Sequence, residues 1–244
     1  MTGSATPAVD GASPLTETAN RYLETIYYIH HEEEVVRPGR LAEWLGVSAP
    51  TVTVSLQRLA RAGWISLQAD HSVRLTPAGL SAAADIVRRH RILERWLTDE
   101  LGLDWATADQ EAAQLSHAVS DLVLERLDYM LGNPATCPHG NLIPGRQPPP
   151  GGRMIRLTAL PEGVRSRVLR ISEVAEHEAP QLLSTLHEHG AVPGASIEVI
   201  RRDPQGVHAR VAGRETALSS ATAHAVWVEA EARRASDSAS AEVA

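Results

Sequence analysis

A chain of 244 residues is long for one small core and suits two or three compact domains. One cysteine, Cys137, rules out an internal disulfide and fits a reducing compartment; no apolar run approaches the ~20 residues that span a bilayer, so a cytoplasmic protein without a membrane partner is expected. The formal charge of −7 argues against nonspecific nucleic-acid binding by the whole chain, yet Arg37 to Arg91 holds eight arginines against three acids, as a DNA-contacting part inside an acidic protein would.

In chain order, residues 1–14 are rich in Ala, Ser, Thr, Gly and Pro without periodicity and read as a disordered arm. Tyr22, Leu23, Ile26, Tyr27 and Ile29 form a helical stripe that predicts a first helix over Thr18 to His31, ended by the break at Pro38. Arg40 to Leu45, then Gly46, then Ser48 to Ala62 read as a short helix, a tight turn and a longer helix, the order of a helix-turn-helix. Ser48 suits the N-cap and Pro50 the first turn, while Val52, Leu56 and Leu59 supply a buried face. Thr51, Thr53, Ser55 and Arg58 are left on the outer face, where short hydroxyls and an arginine can donate to phosphates or base edges in a major groove. Trp64 to Leu67 and Ser72 to Leu75 alternate apolar and polar residues about a turn and predict a hairpin, the wing.

Thr76 to Leu101 reads as one long helix, with Thr76 as N-cap, Pro77 at the first position and Gly102 as the stop. Leu80, Ala83, Val87, Leu93, Leu97 and Leu101 give it an apolar face, and His90 and Glu94, four residues apart, place an imidazole and a carboxylate on one side, within reach of a single divalent ion. Taken alone, such a pair is more often a solvated i,i+4 contact. Thr107 to Ser116 and Ser120 to Leu131 predict two further helices capped by Thr107 and Ser120. Their apolar residues Leu115, Val119, Leu122, Val123, Leu127 and Met130 form a surface that a homodimer would cover. A stretch rich in Pro and Gly from Asn133 to Gly152 follows, then short strands at Val164 to Ile171, Ser196 to Ile200, Val207 to Val211 and Thr216 to Leu218, with a helix over Gln181 to His189. A small β-barrel fits these, and Ala230 to Ala244 reads as a loose tail.

With YLETIY, RLAEWLGVSAPTVTVSLQRLARAGWI, LTPAGLSAAADIVRRHRILERWL, HAVSD and HGNLIPG in this order, the chain resembles the diphtheria toxin repressor family of iron- and manganese-dependent transcriptional regulators, in its long form with a C-terminal SH3-like (FeoA-like) domain. The likeness covers roughly Leu15 to Val228 and implies a mainly α protein with small β parts. Its domains would be a winged helix-turn-helix at 15–76, a helical dimerisation and metal-binding domain at 77–145, a Pro/Gly-rich linker at 146–163 and an SH3-like barrel at 164–229, with tails at 1–14 and 230–244. The implied function is a repressor that binds a double-stranded DNA operator as a homodimer when loaded with metal. The resemblance places ancillary-site ligands at His90, Glu94, Glu178 and Gln181, and puts Asp109, still an oxygen ligand, where a histidine is usual. Of the family's primary, activating site only His117 is kept, because Arg21, Ala113 and Ser116 stand where ligands are expected. Arginine cannot coordinate, alanine has no donor atom, and a serine hydroxyl is a poor neutral one. Mn(II) or Fe(II) is the metal the likeness implies, with Zn(II) or Co(II) compatible with a nitrogen and oxygen donor set. Ser48, Pro50, Thr51 and Thr53 match the DNA-contacting stretch, while Val54 stands where a glutamine often reads a base.

Two other classes compete. Cys137 with His139, or His117 with Asp121, could be cast as catalytic pairs, but no third orienting group or phosphate-cradling loop accompanies them, so an enzyme is not expected. A regulator that binds DNA without metal, with Arg21 filling the lost primary site, is the alternative that Arg21, Ala113 and Ser116 leave open.

Overall fold

The computed structural model describes residues 15–149, 152–173 and 181–230. The expected arm at 1–14 lies outside these residues, as does the tail beyond Ala230. The chain divides into two units: the first takes residues up to Leu97 with Asp109–Asn133 and Ile143–Arg146, the second Thr98–Ala108, Pro134–Leu142 and Gln147 onward.

The first unit opens with α1 (Glu17–His31), capped by the Thr16 side chain, which accepts from the Ala19 N–H. Helices α2 (Pro38–Leu45) and α3 (Ala49–Arg61) follow, joined by a turn in which Gly46 adopts φ 62°, a left-handed conformation that a side chain would strain. Ser48 caps α3 through its hydroxyl, with Pro50 in the first turn, as the sequence predicts. Val52, Leu56 and Leu59 of α3 are buried, as are Tyr22, Leu23 and Ile26 of α1 and Leu41 of α2. The wing is an antiparallel pair, β1 (Ile65–Leu67) and β2 (Val73–Leu75), with Ile65 opposite Leu75.

Helix α4 (Pro77–Asp99) begins where Thr76 accepts the Gly79 N–H and donates to the Gly63 carbonyl. Gly79 lies directly on the wing, since a Cβ there would fall 1.8 Å from the Trp64 carbonyl oxygen. Two shorter helices follow, α5 (Trp105–Leu115) and α6 (Asp121–Met130). Ser120 caps α6 as expected, but α5 starts two residues before Thr107 and the capping side chain is Asp104, whose carboxylate accepts both the Thr107 N–H and its hydroxyl. Asp104 is held below the usual carboxylate range by those two bonds, against a small opposing effect of burial.

The second unit is built on a six-stranded antiparallel sheet in the order β3-β8-β4-β5-β6-β7. Its strands are β3 (Met154–Arg156), β4 (Arg165–Ile171), β5 (Ser196–Asp203), β6 (Gly206–Val211), β7 (Arg214–Ser219) and β8 (Val226–Glu229). Helices α7 (Gln181–Glu188) and α8 (Ser220–Ala225) accompany the sheet. Its core gathers Leu157, Val168, Ile171, Leu186, Ile197, Val199, Ala209, Val211 and Val228, together with Trp105 from the start of α5. The SH3-like arrangement is the one expected, with two corrections. Strand β3 lies inside 146–163, read from sequence as linker, and β8 lies at Val226–Glu229, where no strand was predicted; the two pair with each other. Cys137 and His139 belong to this unit: both are buried, the His139 carbonyl accepts the Ile171 N–H, and the imidazole packs edge-on against Trp105.

Candidate metal centre and nucleic-acid interface

Three side chains of the first unit converge. His90 and Glu94 lie one turn apart on α4 and are buried at 8% and 2% exposure, and Asp109 approaches from α5 with its side chain 44% exposed. His90 Nε2 is 3.1 Å from Asp109 Oδ1, and one ligand atom from each residue lies within 4.8 Å of the others. Burial by itself would push the His90 pKa down, because it disfavours the charged ring, but the Asp109 hydrogen bond and charge, followed by the charges of Glu94 and Glu24, push it up to about 9. The ion-free state is therefore an imidazolium held by a carboxylate, and a cation would take the place of that proton. One imidazole nitrogen and two carboxylates, without sulfur, suit Mn(II), Fe(II), Co(II) or Zn(II), so the residues present fit the metal that the resemblance implied. Asp109 leaves the cluster a solvent-facing side, whereas His90 and Glu94 are fixed by packing on α4.

The other expected ligands stand elsewhere. Glu178 lies outside the described residues, and Gln181 is the exposed first residue of α7, in the second unit. Arg21, Ala113 and His117 are exposed, and Ser116 is buried with its hydroxyl donating to the Ala113 carbonyl 3.0 Å away. No metal-binding group of three His, Cys, Asp or Glu side chains forms around His117 among the described residues. A guanidinium does sit at this corner, but it is that of Arg89. Its Nε donates to the Ser116 carbonyl at 3.1 Å, and its two terminal nitrogens donate to the Val119 carbonyl and the Asp121 carboxylate. Sequence reasoning missed Arg89, because main-chain acceptors leave no mark in a sequence. It also missed Glu24, whose charge acts on His90 and whose carboxylate accepts the Tyr28 hydroxyl at 2.9 Å, and Asp128, buried between the guanidinium groups of Arg88 and Arg146.

On α3, Ser48, Pro50, Thr51, Thr53 and Arg58 are all exposed, together with Val54, whereas Ser55, also expected on the outer face, is half-buried. The Thr53 hydroxyl donates to the Ala49 carbonyl at 3.0 Å. Ser48 and Thr51 share a hydroxyl contact of 2.8 Å at the helix start.

Known proteins place these parts in one family. Residues 14–73 match the model described as iron dependent repressor, N-terminal DNA binding domain; 76–145 match iron dependent repressor, metal binding and dimerisation domain; and 155–230 match the FeoA domain. The iron-dependent repressor IdeR of Mycobacterium tuberculosis is 37% identical over 228 residues, 88% of this chain and 98% of that protein. The diphtheria toxin repressor of Corynebacterium diphtheriae is 34% identical over 227 residues, again 88% and 98%. Among solved structures, a manganese-dependent transcriptional repressor in complex with manganese superposes with a TM-score of 0.75 at 34% identity, covering 86% of this chain and 98% of that one. ScaR with bound Zn2+ superposes at 0.70 with 27% identity and the same coverage. The chain, with its winged helix, its helical metal-binding and dimerisation region and its FeoA domain, belongs to the iron-dependent repressor family.

Proposed function

We propose that this chain is a metal-dependent transcriptional repressor that binds double-stranded operator DNA as a homodimer, with Mn(II) or Fe(II) held by His90, Glu94 and Asp109. The observation that carries the reading is the convergence of those three groups on a nitrogen and oxygen donor set within 4.8 Å. Winged-helix and helical parts are taken as 15–76 and 77–145, and the SH3-like part, read from sequence as 164–229, is extended to begin with β3 at Met154. The exposed faces of Ser48, Pro50, Thr51, Thr53 and Arg58 support major-groove contact by α3. Leu122, Val123, Tyr129 and Met130, all large and exposed on the ten-residue α6, support the twofold partner. When bound, the cation supplies a positive charge that fixes the imidazole and the two carboxylates in one geometry. The chain's own residues do the rest: α4 carries two of the donors, and its first turn lies against the wing.

Operator affinity measured with added Mn(II), Fe(II), Co(II) or Zn(II) beside a chelated sample tests the proposal. Metal is expected to tighten binding, Glu94→Gln to abolish the response, and Ala113→Ser to leave it intact. Equal affinity in every condition would end the metal-dependent reading.

A further inference from the structure

The corner between α5 and α6 presents the acceptors of a cation site without the ligands of a metal site. Leu115 ends α5, and the Ala118 and Val119 amides bond back to the Leu115 carbonyl at 2.9 and 3.0 Å, so the chain turns sharply before Ser120 starts α6. At this turn the Ser116 and Val119 carbonyls and the Asp121 carboxylate face one guanidinium, Arg89 of α4. Helix ends of this kind carry partial negative charge, and an arginine bears a permanent charge with donors spread over a planar fork, which lets it reach three separated acceptors at once. Among the side chains a metal would need here, Ala113 has no donor, Arg21 is a cation, and the Ser116 hydroxyl donates within its own turn.

We propose that Arg89 is a positioning residue that holds the α5–α6 turn on α4 permanently, so that the protomer takes up one metal ion, at His90, Glu94 and Asp109, and needs none at this corner. This inference rests on the proposed metal reading only for the count of ions. The hold on the turn is made by the chain's own residues. It also differs from the expectation that Arg21 is the replacing cation, because Arg21 is exposed and the three acceptors belong to Arg89.

The experiment combines amide hydrogen exchange across residues 115–121 of the full-length protein, with chelator and with Mn(II), and the number of Mn(II) ions retained per protomer after dialysis. Slow exchange at Ser116, Ala118 and Val119 in chelator, unchanged by Mn(II), and one ion per protomer are expected. Arg89→Gln should speed exchange in this segment at least tenfold in both conditions, and Arg89→Lys should recover only part of the protection. Should Arg89→Gln fail to fold, Asp121→Asn removes the charged acceptor alone and should speed the same amides several-fold. A second ion per protomer, or Mn(II)-dependent protection of the turn in the unaltered chain, would overturn the proposal. If no ion binds at all, the metal reading falls, while the exchange in chelator still decides whether Arg89 holds the turn.

Discussion

The His90 imidazole on α4 faces the Asp109 carboxylate on α5 at 3.1 Å, and that contact keeps a proton on a ring whose burial would otherwise expel it. A cation binding at His90 must displace that proton, and below about 9 the ion-free ring is charged. The apparent metal affinity should therefore rise about tenfold for each pH unit between pH 7 and 8 from this group alone. Calorimetry in buffers of different ionisation enthalpy should show close to one proton released per ion at pH 7. Uptake that is independent of pH over this range would exclude His90 as a ligand.

Asp109→Ala removes both the partner that raises the His90 pKa and one of the oxygens. Titration of the His90 ring by NMR in the ion-free variant should show its pKa well below about 9, because burial is then opposed by the weaker effects of Glu94 and Glu24. Metal affinity should fall by more than about 10- to 100-fold, the loss typical of a partner that only orients a ligand. Asp109→His restores a donor atom and should recover most of the affinity.

Arg58 is exposed on the last turns of α3, where it can meet a phosphate. Arg58→Ala should weaken binding to specific and unrelated DNA alike, with the slope of log affinity against log salt reduced by about 1. A change of preferred sequence with an unaltered slope would assign it to a base edge.

Leu122→Glu with Met130→Glu places charges on the exposed apolar face of α6. Light scattering after size-exclusion chromatography should show a monomer that melts within a few degrees of the parent in the absence of DNA, since neither side chain contributes to the protomer's own core. A stable dimer in the double variant would move the interface elsewhere.

Much of the architecture could be read from local chemistry. Ser48, Thr76 and Ser120 announce helix starts because each cap is a bond between a side chain and an amide three residues on, which short-range sequence encodes. Thr107 misled because the true cap, Asp104, bonds to it from three residues upstream, so two good capping residues compete at one helix start. Strands β3 and β8 escaped notice because they are three and four residues long and are defined by pairing across more than seventy positions, a tertiary fact. At the candidate metal centre, the His90 and Glu94 spacing was visible as helical periodicity. The approach of Asp109, nineteen residues away, came only with the family likeness, and the Arg89 contacts were not visible at all.

Gly79→Ala tests the tightest approach at any glycine among the described residues. A methyl group 1.8 Å from the Trp64 carbonyl oxygen cannot be accommodated without separating α4 from the wing, so the variant should lose about 1–3 kcal/mol of stability in chemical denaturation. DNA affinity should drop as well, whether or not metal is present.

That bare contact has a mechanical meaning. With no side chain between them, helix and wing have no soft layer to absorb displacement, and His90 lies eleven residues, about 16 Å, further along the same rod. A small tilt imposed at His90 would thus be passed to the hairpin as through a stiff lever whose pivot is a single hydrogen atom wide.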